Sequence, residues 1–172
     1  MIRFASISLC ALWLCGKPFF EMNTGFDTTK ILTEWQGGDL PDLLPAGFEF
    51  WWNGRKYRHR PGGYTDGMSS PQFSHLIKLC APRGWAFPAA VAHDGGYHDA
   101  IERQNALQSW VPITFTKDEC DQLFHDLLET LADTVEKQAL ILPFYEAVRL
   151  AGQPAFNEAR QQATGLNKGG HR

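Results

Sequence analysis

Two periods of apolar residues divide the chain. Between residues 48 and 60 the period is two: Phe48, Phe50 and Trp52 alternate with their neighbours and fall on one face of a strand. Asn53-Gly54 follows, and then the run Arg55-Lys56-Tyr57-Arg58-His59-Arg60. An Asn-Gly pair between two strand-like runs signals a two-residue type I′ hairpin.

Farther along, the period becomes helical. Cys120, Leu123, Phe124, Leu127, Leu128 and Leu131 form one stripe. Thr116 and Glu119 stand just before it in the spacing of a capping box, which marks the helix start. An earlier helix is predicted through Ala89, Val91, His93, Tyr97 and Ile101, with Pro88 in its first turn. Gly95-Gly96 lies inside it, at about 1 kcal/mol of lost helix propensity per glycine. Such a pair predicts something packed close against the backbone. A third helical segment spans about 134–151; Pro143 kinks or splits it, and Gly152 with Pro154 ends it. Residues 103–115 read as a loop long enough to let the first two helices run antiparallel. Residues 61–71 form a turn-rich loop and 23–47 an irregular arm. The expected fold is mainly α (α+β): an antiparallel helix pair, a third kinked helix and a small N-terminal β-hairpin.

Composition adds limits. A chain of 172 residues, 44% hydrophobic and 20% charged, fits one globular domain. Residues 22–160 are assigned to it and 161–172 to a flexible tail. Residues 1–21 carry an apolar run behind Arg3, a signal-like segment or an extension upstream of Met22. A signal would imply export. The net charge of −3 gives no reason to expect nucleic acid as a partner. Cys10, Cys15, Cys80 and Cys120 show neither a C-x-x-C pair nor a zinc spacing.

The chemistry concentrates on the two helices. His93 and Tyr97 are four apart and share a face, while Asp94 and His98 share the next. Asp121 lies at the margin of the buried stripe, where a carboxylate needs a partner. A histidine on the packed helix supplies one, and an imidazole held by a carboxylate can act as a general base toward water. The bland alternative is a structural His–Asp pair. His98, Asp99, His125 and Asp126 are outside candidates for a metal cluster, and more commonly such residues are solvated. The basic run 55–60 suits phosphate or lipid headgroups, or simply a solvated strand face.

H-D-x-x-Y (His93, Asp94, Tyr97) followed by D-x-x-F (Asp121, Phe124) resembles the catalytic helix pair of secreted phospholipase A2, above all its short prokaryotic forms. The resemblance implies His93 as the base, Asp94 as a calcium ligand, and Asp121 and Tyr97 as the groups that orient the base. A second resemblance covers about residues 62–152. G-Y-T-D-G-M-S-S-P (63–71), H-D-x-x-Y, D-x-x-F and F-Y-E-A-V-R-L-A-G (144–152) are similar to an uncharacterised family of tailed phages, prophages and bacteria. It implies a phage or prophage setting, and it draws Asp66 toward the His93 helix; an Asx-type turn is the other reading of Asp66.

Three functions follow. The first is a phospholipase A2-type hydrolase of a lipid ester, with a phospholipid surface as partner and calcium as cofactor. The second is a non-enzymatic phage virion or assembly protein, with virion proteins as partners. The third is an HD-type metal-dependent phosphohydrolase using His75, His93, Asp94 and Asp121.

Overall fold

The computed structural model describes residues 24–26, 42–65 and 84–163. The apolar segment 1–21 and residues Asp66, Ser69, Ser70 and His75 lie outside them.

Two antiparallel sheets and three helices make up the described fold. The larger sheet has five strands in the order β1 (Gly25–Phe26), β3 (Phe48–Trp52), β4 (Arg55–His59), β6 (Ile101–Gln104), β7 (Trp110–Pro112). The smaller pairs β2 (Asp42–Leu44) with β5 (Gly63–Thr65). The helices are α1 (Phe87–Tyr97), α2 (Lys117–Leu131) and α3 (Val135–Ala163).

The β3–β4 hairpin forms in the expected place. Asn53 and Gly54 take φ of 50° and 68°, the left-handed conformation that a two-residue turn of this kind demands. Phe48, Phe50 and Trp52 face inward. Rings of Phe26, Phe48, Phe50 and Tyr57 stack in a row, with centroids 5.7, 5.5 and 5.6 Å apart.

The expectation of a mainly α fold with one small hairpin is overturned. The hairpin is the middle of a five-stranded sheet, and the helix pair with a third helix describes only part of the molecule. The stretch taken as a loop at 103–115 contains most of a second hairpin, β6–β7. The earlier helix stops at Tyr97 instead of reaching Ile101. Asp99 turns the chain at φ 53°, and Ile101 then pairs opposite His59 as the first residue of β6. Non-local pairing decides here, because Ile-Glu-Arg-Gln has little strand pattern of its own.

The third helix also departs from expectation. It runs unbroken through Pro143, Gly152 and Pro154 to Ala163. Tertiary contacts hold its second half. Ala159 is buried, Phe156 packs edge-on against Tyr97, and Arg160 reaches across to Asp99 and to the carbonyls of Gly96 and Phe115. These contacts offset the backbone bond that an internal proline removes.

α2 begins as its sequence requires. Thr116 Oγ1 accepts from the Glu119 amide at 3.2 Å, and the Thr116 amide donates to Glu119 Oε2 at 2.7 Å. α1 is buried almost all round, so it is the central helix of the domain. Contacts between α1 and α2 run in opposite directions: His93 meets Phe124 and Asp121, and Gly96 meets Cys120.

Candidate functional site

The glycine pair in α1 lets two groups reach its backbone. A methyl group on Gly96 would sit 2.7 Å from Cys120 Sγ, and one on Gly95 would sit 2.5 Å from the His59 ring. α2 and β4 can therefore approach α1 closely, which brings Asp121 to His93.

His93 Nε2 and Asp121 Oδ1 are 3.1 Å apart. Tyr97 donates its hydroxyl to the same oxygen at 3.1 Å. Lys117 donates to the other oxygen, Oδ2, at 2.5 Å, and also to the carbonyls of Val148 and Arg149 at 3.2 Å each. Asp121 is 2% exposed and His93 7% exposed. The His93 ring is packed between Tyr97 and Phe124, with centroids at 4.2 and 5.3 Å.

These neighbours set the charges. Burial raises the Asp121 pKa, but hydrogen bonds and fields from His93 and Lys117 outweigh it and hold Asp121 below its ordinary 3.8. Asp121 is thus a carboxylate, an acceptor only, so His93 Nε2 carries the proton. Burial lowers the His93 pKa, yet the hydrogen bond to Asp121 and the negative charges of Asp94 and Asp121 leave it above 6.5. Burial also pushes the Tyr97 hydroxyl and the Cys120 thiol well up, so both stay protonated and Cys120 is a small packed apolar group.

With Nε2 committed to Asp121, Nδ1 is the ring nitrogen left for other partners. Nδ1 lies 4.0 Å from Asp94 Oδ1, beyond direct hydrogen-bond distance. Asp94 is held in turn by Thr65, whose hydroxyl donates to Oδ2 at 2.6 Å.

Four of the sequence candidates come together here: His93, Asp94, Tyr97 and Asp121. Asp66 lies outside the described residues, although its neighbour Thr65 touches Asp94. Lys117 was not foreseen, and Thr65 and Gly152, though inside the quoted motifs, were not singled out as site residues. Lys117 stands four residues before Asp121, the spacing of a helical ion pair, and that was the available signal. Gly152 is identified only by contact: a methyl group there would sit 2.5 Å from the Tyr97 hydroxyl and 3.4 Å from Lys117 Cε. Residues from all four separated motifs therefore meet at one place.

The fit to calcium is poor among the described residues. The ion takes about six to eight oxygen ligands. Asp94 brings one carboxylate, with the Thr65 hydroxyl beside it. The one group of three potential ligands among the described residues is elsewhere, at His125, Asp126 and Glu129, where Trp52 and Gln122 already bond Asp126. His98 is exposed, and Asp99 pairs with Arg160. No known protein family, curated protein or solved structure matches the chain.

Proposed function

We propose that the chain is a hydrolase in which His93 activates water for attack on an ester carbonyl. The observation that carries this reading is the setting of the His93 ring: Asp121, itself held by Tyr97 and Lys117, accepts the hydrogen bond of His93 Nε2–H, and Nδ1 is turned toward Asp94. In the neutral ring, a water bonded to Nδ1 would give its proton to Nδ1 as its oxygen bonds to the carbonyl carbon. Asp121 and Asp94 stabilise the imidazolium that forms. The imidazolium then returns the proton to the departing alkoxide, and the products are a carboxylic acid and an alcohol.

The substrate class comes from the resemblance to secreted phospholipase A2: an acyl ester of a glycerophospholipid, met at a membrane surface. The four-motif resemblance supports a phage or prophage setting. No step here is routed through calcium.

The burial of His93 and Asp121 favours a second reading, a non-enzymatic phage component in which the pair holds α1 to α2. One experiment separates the two. Purified full-length protein is incubated with mixed phospholipid vesicles, with calcium or with chelator, and fatty-acid release is measured for wild type and His93→Gln. Release lost in a folded His93→Gln supports the hydrolase, and the chelator shows whether calcium takes part. No release from any lipid by folded wild type overturns the lipid hydrolase.

A further inference from the structure

Two arginines share the inner face of the larger sheet, Arg55 exposed beside the β3–β4 turn and Arg103 half-buried on β6. In an antiparallel sheet, directly opposed residues share a face. Trp52 opposes Arg55, Phe50 opposes Tyr57, and Tyr57 opposes Arg103. Arg55 and Arg103 are therefore on the face that carries the buried Phe50, Trp52 and Tyr57.

The cations of the outer face are neutralised. Lys56 pairs with Glu49 and Arg58 with Glu102, each at 2.6 Å, and Arg58 also lies over the Trp110 ring. Arg55 and Arg103 have no such carboxylate among the described residues. Both guanidiniums lie near enough to the Tyr57 hydroxyl for their charges to pull its pKa down against the burial that raises it.

Between them lies a cleft of about 610 Å³. That volume falls within the range of small-molecule sites, about 300–1,000 Å³. Trp52, Ile113 and Phe115 supply apolar walls. Trp52 is fixed by its bond to Asp126 at 2.7 Å and by an edge-on contact with Phe115, so that wall is preformed. Glu119 is at the rim, but its Oε2 already accepts from Thr116. Two guanidiniums thus line the cleft with one carboxylate at its rim, whose Oε2 is taken by Thr116.

We propose that this cleft binds a small ligand with one anionic group, carboxylate or phosphate, on an apolar, ring-sized body. The anion takes hydrogen bonds from Arg55 and Arg103, and the body rests on Trp52 and Phe115. Guanidinium forks match both oxyanions, and charge-assisted bonds of this kind are the strong ones. The site is independent of the His93 chemistry.

The test is calorimetric titration of the full chain with phenyl phosphate, benzoate, inorganic phosphate and neutral phenol. Saturable binding of phenyl phosphate or benzoate is expected, with phenol at least about tenfold weaker, and Arg55→Gln or Arg103→Gln is expected to weaken it about tenfold. Lys56→Gln, on the outer face, leaves it unchanged. Preference for phenyl phosphate assigns a phosphate ligand, and preference for benzoate assigns a carboxylate. Should either arginine variant fail to fold, arginine-directed labelling of the wild type with phenylglyoxal gives the same answer: bound ligand protects Arg55 and Arg103. Absence of binding by every anion, binding of phenol as tight as that of the anions, or affinity undiminished in both variants overturns the proposal.

Discussion

Gly152 stands so close to Tyr97 that a methyl group on its Cα would lie 2.5 Å from the Tyr97 hydroxyl oxygen. That hydroxyl donates to Asp121, so the width of α3 at one glycine sets the position of a group that holds the partner of His93.

Gly152→Ala is therefore expected to destabilise the protein, although alanine is the better helix former by about 1 kcal/mol. Overpacking outweighs that gain, for a net loss of about 1–2 kcal/mol. Urea unfolding measures it. In a Tyr97→Phe background the crowding oxygen is gone, and the same substitution is expected to be close to neutral.

Lys117→Met removes the cation from Asp121 Oδ2 and from two α3 carbonyls. The carboxylate stays buried and loses its counter-charge. A loss of about 3 kcal/mol is expected, in keeping with broken buried ion pairs. Thermal unfolding of Lys117→Met beside Lys137→Met, an exposed-pair control, checks it.

His59 is wedged between Gly63 and Gly95, and a methyl group on either would run into its ring. Gly95→Ala is expected to cost about 1–3 kcal/mol. In a double-mutant cycle with His59→Ala most of that cost should vanish, since the two residues share one contact. Additive losses would show that the ring is not the obstacle.

Three groups give stability opposite dependences on pH. His93 has a raised pKa when folded, so its contribution is complete below 6.5 and is lost as pH rises through the folded value. Burial lowers the pKa of His59; its contribution is present above 6.5 and is lost as pH falls through the folded value. Asp121 is likewise lowered, and its contribution is present above 3.8 and lost below. Melting temperature against pH for His93→Gln should lack the alkaline decline of wild type. Hydrolysis, which needs neutral His93, should rise with pH along a limb centred above 6.5.

Much of the site was legible because its residues sit at local spacings. His93 and Tyr97 are one helical turn apart, and Asp121 had to find a partner at the edge of an apolar stripe. The glycine pair announced a close approach, and His59 with Cys120 makes it. His59 itself was read as part of a basic surface run, yet it is wholly buried. Its burial depends on Ile101 opposite it and on Gly63 and Gly95 beside it, none of which is near in sequence.

The sequence by itself determined what one turn or one stripe can specify: the Asn53-Gly54 hairpin, the Thr116–Glu119 start of α2, and the shared face of His93 and Tyr97. Such features rest on backbone conformation and bonds between near neighbours. Tertiary structure decided the rest. β6 and β7 become strands because β4 offers an edge to pair with, not because of their own pattern. α3 continues past Pro154 because Phe156, Ala159 and Arg160 gain contacts with α1 and its flanks that outweigh a missing backbone bond. Those two pairings set Arg103 beside Arg55 and Gly152 against Tyr97.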